Sequence, residues 1–216
     1  LGFAISYISG ESDEFMNLHF AFGMFIGTFI ILRLLFGLIG PRYSHFRDFP
    51  ISLNNQREFL RTFFSKTRKY IGHNPPASLV MLAILVTGLL CSLSGYLMYA
   101  EKNHVFILIN NGEILSDTHE VLANIFLGLV ILHLTGILAD TLFHSEAGTL
   151  ASIFTGYKKL ESENNKLTTF QKAFSVLWII IPLIMFWMGL RLPAITSQEN
   201  NGYKIENAAT SDHDDD

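Results

Sequence analysis

The sequence is short of charge, and the shortage comes in blocks. Asp, Glu, Lys and Arg make up 16% of its 216 residues, where a soluble domain carries about a quarter. Ala77–Ala100 and Ala173–Leu190 hold no charged residue, Val121–Ala139 holds none between Glu120 and Asp140, and Leu18–Ile39 holds only Arg33. Crossing the hydrocarbon core as a helix takes about 20 largely apolar residues, so these four blocks predict four complete spans. That excludes a soluble globular domain, and nothing in the composition suggests a nucleic-acid partner. Leu1–Ile8 (LGFAISYI) is apolar but too short to span, and it lacks the basic start and small-residue cleavage site of a signal peptide. It is expected to be the distal part of a first, truncated spanning helix.

Other scarcities narrow the chemistry. A single cysteine, Cys91, excludes an internal disulfide, and without a CxxCH motif there is no covalent haem attachment. No span carries Asp or Glu in its interior, which argues against a proton relay built on buried carboxylates. Positive charge is uneven. Of 15 Lys and Arg, seven lie between the second and third spans and four between the fourth and fifth, against Lys102, Arg191 and Lys204 on the other side. The positive-inside rule then places loops 41–76 and 144–172 in the cytoplasm, with the C-terminal tail periplasmic, in a bacterial inner membrane.

Outside the spans the sequence says less. Phe59, Leu60, Phe63, Phe64, Tyr70 and Ile71 fall within one arc of a helical wheel, which fits an amphipathic helix on the membrane surface or one packed under the bundle. GHNPP (72–76) breaks that helix and opens the third span. Val105–Ile109 is a short apolar run suited to an interfacial turn. The tail, ending DHDDD, has little to bury and is expected to be disordered.

What is present inside the spans is histidine. His119 and His133 are fourteen residues apart, about 21 Å of helix rise and some 40° short of four full turns, so they share a face at two depths. Buried ionisable side chains mark function by default, and haem iron is the commonest partner of a neutral imidazole in an apolar bundle. His19 opens the second span at the same side as His119, so these two are the expected ligands of one haem. Each alone would also suit a helix-capping role at the interface. His133 finds no partner at its depth. Its second ligand is expected on the first helix, a few positions before Leu1. Arg33, fourteen residues from His19, needs an anion, and a haem propionate would supply one through a bidentate pair. Gly23, Gly27, Gly128 and Gly136 would either let a macrocycle approach the backbone or let helices pack. His73 in GHNPP suits a propionate, a quinone headgroup or helix entry; His45 and His144 read as surface residues, and His104 has no assigned role.

These residues resemble the prokaryotic cytochrome b561 family, which includes the cytochrome b subunits of nickel–iron hydrogenases. The resemblance covers about residues 1–160. It is carried by SGESDEFMNLHFAFGMFIGTFIILRLLFGLIGPRYSHFRDF (9–49), RKYIGHNPPASLVMLAILVTGLLCSLSGY (68–96), HEVLANIFLGLVILHLTGILADTLFH (119–144) and TGYKK (155–159). It implies a four-helix core with two b haems, His19 and His119 ligating one and His133 one side of the other. His45 stands where the family often has arginine, and the fifth span lies outside the shared core.

The expectation is therefore an all-α integral membrane protein. A four-helix transmembrane bundle holding two b haems (1–160, first helix partial) is followed by a fifth C-terminal transmembrane helix (161–191) and an acidic tail (192–216). It would move electrons between the quinone pool and a redox partner protein, a c-type cytochrome or a dehydrogenase or hydrogenase subunit, with quinone as exchangeable substrate. An electron-transfer subunit is preferred to a stand-alone enzyme. The alternative, an oxidoreductase coupling a small oxidant such as superoxide to quinone, calls for a cationic outer funnel, and the outer loops are acidic.

Overall fold

The computed structural model describes residues 1–41, 44–63, 72–103, 111–143 and 167–192. These form α1 (Gly2–Ser9), α2 (Met16–Ile39), α3 (Leu53–Thr62), α4 (Pro75–Lys102), α5 (Gly112–Phe143) and α6 (Thr169–Gly189), with single 3-10 turns at Asp13–Phe15 and Phe46–Asp48. Among the described residues, α2, α4, α5 and α6 are long and apolar enough to cross a membrane. Large apolar side chains such as Leu38, Val86, Leu134, Ile179 and Leu183 stand exposed along them. Water would not tolerate so wide a greasy surface, whereas acyl chains require it.

Local chemistry sets the helix ends. The Asn74 side chain accepts the Ala77 N–H at 2.9 Å, and Pro75 follows at the first helical position, where its missing N–H costs nothing. GHNPP thus starts α4 as expected. Thr168 and Gln171 form a reciprocal capping box at the start of α6. The start of α5 differs from expectation. Hydropathy opens this span at Val121, yet the helix begins at Gly112, with Asn111 Oδ1 accepting the Ile114 N–H at 3.3 Å and Leu115 buried. His119 therefore sits two turns inside the helix instead of opening it. The polar stretch up to Asp117 falls outside the span by hydropathy, which reports the lipid-crossing part of a helix and not its polar extension.

α2 is the hub, packing against α1, α4 and α6, while α5 packs along α4. Ile30, Leu85 and Phe126 fill the middle of the bundle from α2, α4 and α5, and Phe3 of α1 closes the group with its ring 4.7 Å from Phe126 in a T-shaped contact. α6 runs antiparallel to α2. Gln171 Nε2 donates to the Ile39 carbonyl at one end, and Gly189 lies against the Ala21 backbone at the other. Between them runs an aromatic seam. Trp178 lies 5.0 Å from Phe29 and 5.4 Å from Phe36, Phe174 stacks on Phe36, and Phe186 meets Phe22 at 4.9 Å.

Only part of the expected surface helix falls in α3; Phe64, Tyr70 and Ile71 lie outside the described residues. So do the Val105–Ile109 run, His104, His144, TGYKK (155–159) and the tail beyond Leu192.

Candidate functional site

His19 of α2 and His119 of α5 meet at one end of the bundle, their ring centroids 5.9 Å apart and their planes inclined at 78°. Each ring is held by the helix that precedes its own. His19 Nδ1 lies 2.8 Å from the Ser6 carbonyl of α1. His119 Nδ1 lies 3.0 Å from the Cys91 carbonyl of α4, with Ser94 Oγ also at 3.0 Å and Cys91 Sγ at 3.8 Å. A carbonyl can only accept, so the proton sits on Nδ1 in both rings. Nε2 is left as the lone-pair nitrogen, the arrangement a second-shell acceptor imposes on a metal-binding imidazole.

The two seats share one local design. In each, a serine three residues past the accepting carbonyl donates its hydroxyl to that same carbonyl: Ser9 Oγ to Ser6 O at 3.1 Å, and Ser94 Oγ to Cys91 O at 2.8 Å. A glycine follows each serine. A Cβ at Gly10 would lie 2.8 Å from His19 Nδ1, and one at Gly95 would lie 2.9 Å from His119 Cε1. Gly10 has ordinary right-handed helical dihedrals (φ −70°, ψ −19°), so close approach of the ring is what calls for glycine there. Among the described residues the buried polar side chains are Ser6, Ser9, Ser78 and Ser94, and all but Ser78 serve these two rings. The stretches SYISG (6–10) and CSLSG (91–95) thus form a short structural repeat where the sequence shows no convincing one. It is a backbone carbonyl, of Ser6 or of Cys91, that holds each ring, so the two side chains need not match, and Ser-Gly alone is too common to notice.

The pair fits a haem. A metal–imidazole bond is about 2 Å long, so two rings on opposite sides of one ion have centroids roughly 6 Å apart, close to the 5.9 Å here. Among the described residues no three His, Cys, Asp or Glu side chains gather as they would around a bare ion. Two imidazoles are what an iron already held by four porphyrin nitrogens takes.

The other expected residues lie towards the far end. His133 is half-buried on α5, seven residues beyond Phe126, as His119 is seven before it. Arg33 turns to the segment after α2. Its Nη1 donates to the Ser44 carbonyl at 3.5 Å and its guanidinium stands 5.4 Å from the Phe46 ring centroid, and no carboxylate among the described residues pairs with it. Phe46 meets Phe49 at 5.6 Å, and Phe49 meets the His73 ring at 4.8 Å, so His73 belongs to an aromatic floor as well as preceding the α4 cap. The glycines divide. Gly27 packs on Ser92, a Cβ there lying 2.8 Å from the serine Cβ, whereas Gly23, Gly128 and Gly136 face open space. Helix packing explains the first; only the other three are open to a macrocycle.

No curated protein and no solved structure matches the chain. The sequence profile of prokaryotic cytochrome b561 matches residues 1–156, most of the length and all of α1 to α5. With that match, and with two seated imidazoles inside it, the chain belongs to the prokaryotic cytochrome b561 family, membrane b-type cytochromes of electron transfer.

Proposed function

We propose that the protein is a di-haem cytochrome b that moves electrons across a bacterial inner membrane between quinone and a redox partner, a c-type cytochrome or a dehydrogenase or hydrogenase subunit. The observation that carries this reading is the His19–His119 pair, each ring anchored through Nδ1 with Nε2 left to ligate. A b haem held there by His19 and His119 would supply a one-electron couple. The protein's own residues do the rest. Ser6 and Cys91 hold the ligand tautomer, and the Phe3–Phe126 contact with Ile30 and Leu85 keeps the middle of the bundle dry. His133 offers one ligand to a second haem. The Arg33 guanidinium, with no carboxylate partner among the described residues, places positive charge where a propionate would be welcome.

Reduced-minus-oxidised spectra of membranes containing the protein test this. A b-type band is expected, with His19→Ala and His119→Ala removing the same component and His133→Ala a different one. Arg33→Leu is expected to lower the midpoint potential of the component that His133→Ala removes. Absence of any b band, or identical losses from all three histidine variants, would refute the proposal.

A further inference from the structure

We infer that Ser9 tunes how strongly His19 donates to iron, by competing with the imidazole for the carbonyl that holds it. This rests on the reading of His19 and His119 as ligands of one haem. The Ser6 carbonyl receives three donors: the Gly10 N–H at 3.1 Å, the Ser9 hydroxyl at 3.1 Å and His19 Nδ1 at 2.8 Å. In the other seat the Cys91 carbonyl receives Ser94 Oγ at 2.8 Å and His119 Nδ1 at 3.0 Å. Ser94 Oγ also stands 3.0 Å from His119 Nδ1 and can accept the ring proton itself, so competition acts unopposed only at Ser9. A carbonyl oxygen has two lone pairs, so every extra donor weakens its pull on the imidazole proton.

That pull matters because an imidazole whose Nδ1–H is drawn towards an acceptor becomes more basic at Nε2. A more basic axial ligand favours ferric over ferrous iron, and hydrogen bonding around the ligand is one of the levers by which a protein sets a haem's potential. Ser9 relaxes the pull on its side of the site and so biases it towards the reduced form. Serine back-bonding to a helical carbonyl is common in itself. What sets Ser9 apart is that the bonded carbonyl is the imidazole's own acceptor and that the serine is buried, only 5% exposed.

Redox titration of the b bands in membranes tests the inference. The component that disappears in both His19→Ala and His119→Ala identifies the site. If no component is shared, the ligand reading itself has failed. With the site identified, Ser9→Ala is expected to move its midpoint to more negative potential. The component lost in His133→Ala is expected to stay where it was. Ser9→Thr, which keeps the hydroxyl, is expected to keep the parental midpoint, and Ser9→Cys, a weaker donor, to give a smaller shift of the same sign as alanine. An unmoved or more positive midpoint in Ser9→Ala with haem bound overturns the inference. So does a Thr variant that shifts as far as Ala or loses haem alongside it, since volume would then be acting instead of the hydroxyl.

Discussion

An imidazole that ligates through one nitrogen must be oriented through the other, and here both orienting bonds end on backbone carbonyls. Gly10 and Gly95 are as necessary to that geometry as the histidines, because each leaves the room its ring occupies. Gly10→Ala and Gly95→Ala are expected to push the rings out of register, at roughly the 1–3 kcal/mol cost of overpacking. Haem content measured on purified protein should fall towards half while the His133-dependent band is kept; full content in both variants would contradict this. Gly23→Ala has no such clash and is a suitable control for helicity. At this scale the sequence was legible where side chains carry the chemistry. His19, His119 and Arg33 stand out as polar groups in apolar runs. The seats do not stand out, because a carbonyl has no side-chain signature and a missing Cβ is visible only once a ring lies against it.

Among the elements, α2 does two jobs with two faces. One carries His19, Gly27 and Ile30 towards α4 and the bundle centre; the other carries Phe22, Phe29 and Phe36 to the rings of α6. A run that is apolar all round gives hydropathy no reason to separate these faces. The helix was therefore legible in the sequence, but its partners were not. The α6 side depends on one small residue, since a Cβ at Gly189 would lie 2.5 Å from Ala21 Cα. Gly189→Val is expected to lift that end of α6 away from α2 and lower the thermal midpoint, again by roughly 1–3 kcal/mol of overpacking. Helical circular dichroism at low temperature should stay near the parental signal. An unchanged melt would show that the contact carries no stability. The late start assigned to α5 has the same origin as the missed faces, because Ser116, Asp117 and Thr118 are helical through capping and the anchoring of Leu115 rather than through hydrophobicity.

For the molecule as a whole, the uneven spread of Lys and Arg predicts an orientation that can be measured. With the native thiol removed by Cys91→Ala, a single cysteine introduced in the tail beyond Leu192 is expected to react with a membrane-impermeant maleimide in spheroplasts. One in the α3 segment should react only after lysis, and the opposite pattern would invert the topology. The four long apolar helices were the most legible feature of all, since span length is a property of segments and survives small errors in their ends.

The arrangement of the seats has a consequence for how the protein is made. Each ring is fixed by the helix immediately before it in the chain, His19 by α1 and His119 by α4, so each half of the site is complete once its own hairpin has entered the membrane. Neither hairpin has to wait for the other to shape its ligand. A haem held as proposed would meet two finished jaws, and its binding free energy would go into holding the hairpins together instead of ordering side chains. Biogenesis of this cytochrome would thus proceed as the riveting of two prefabricated halves.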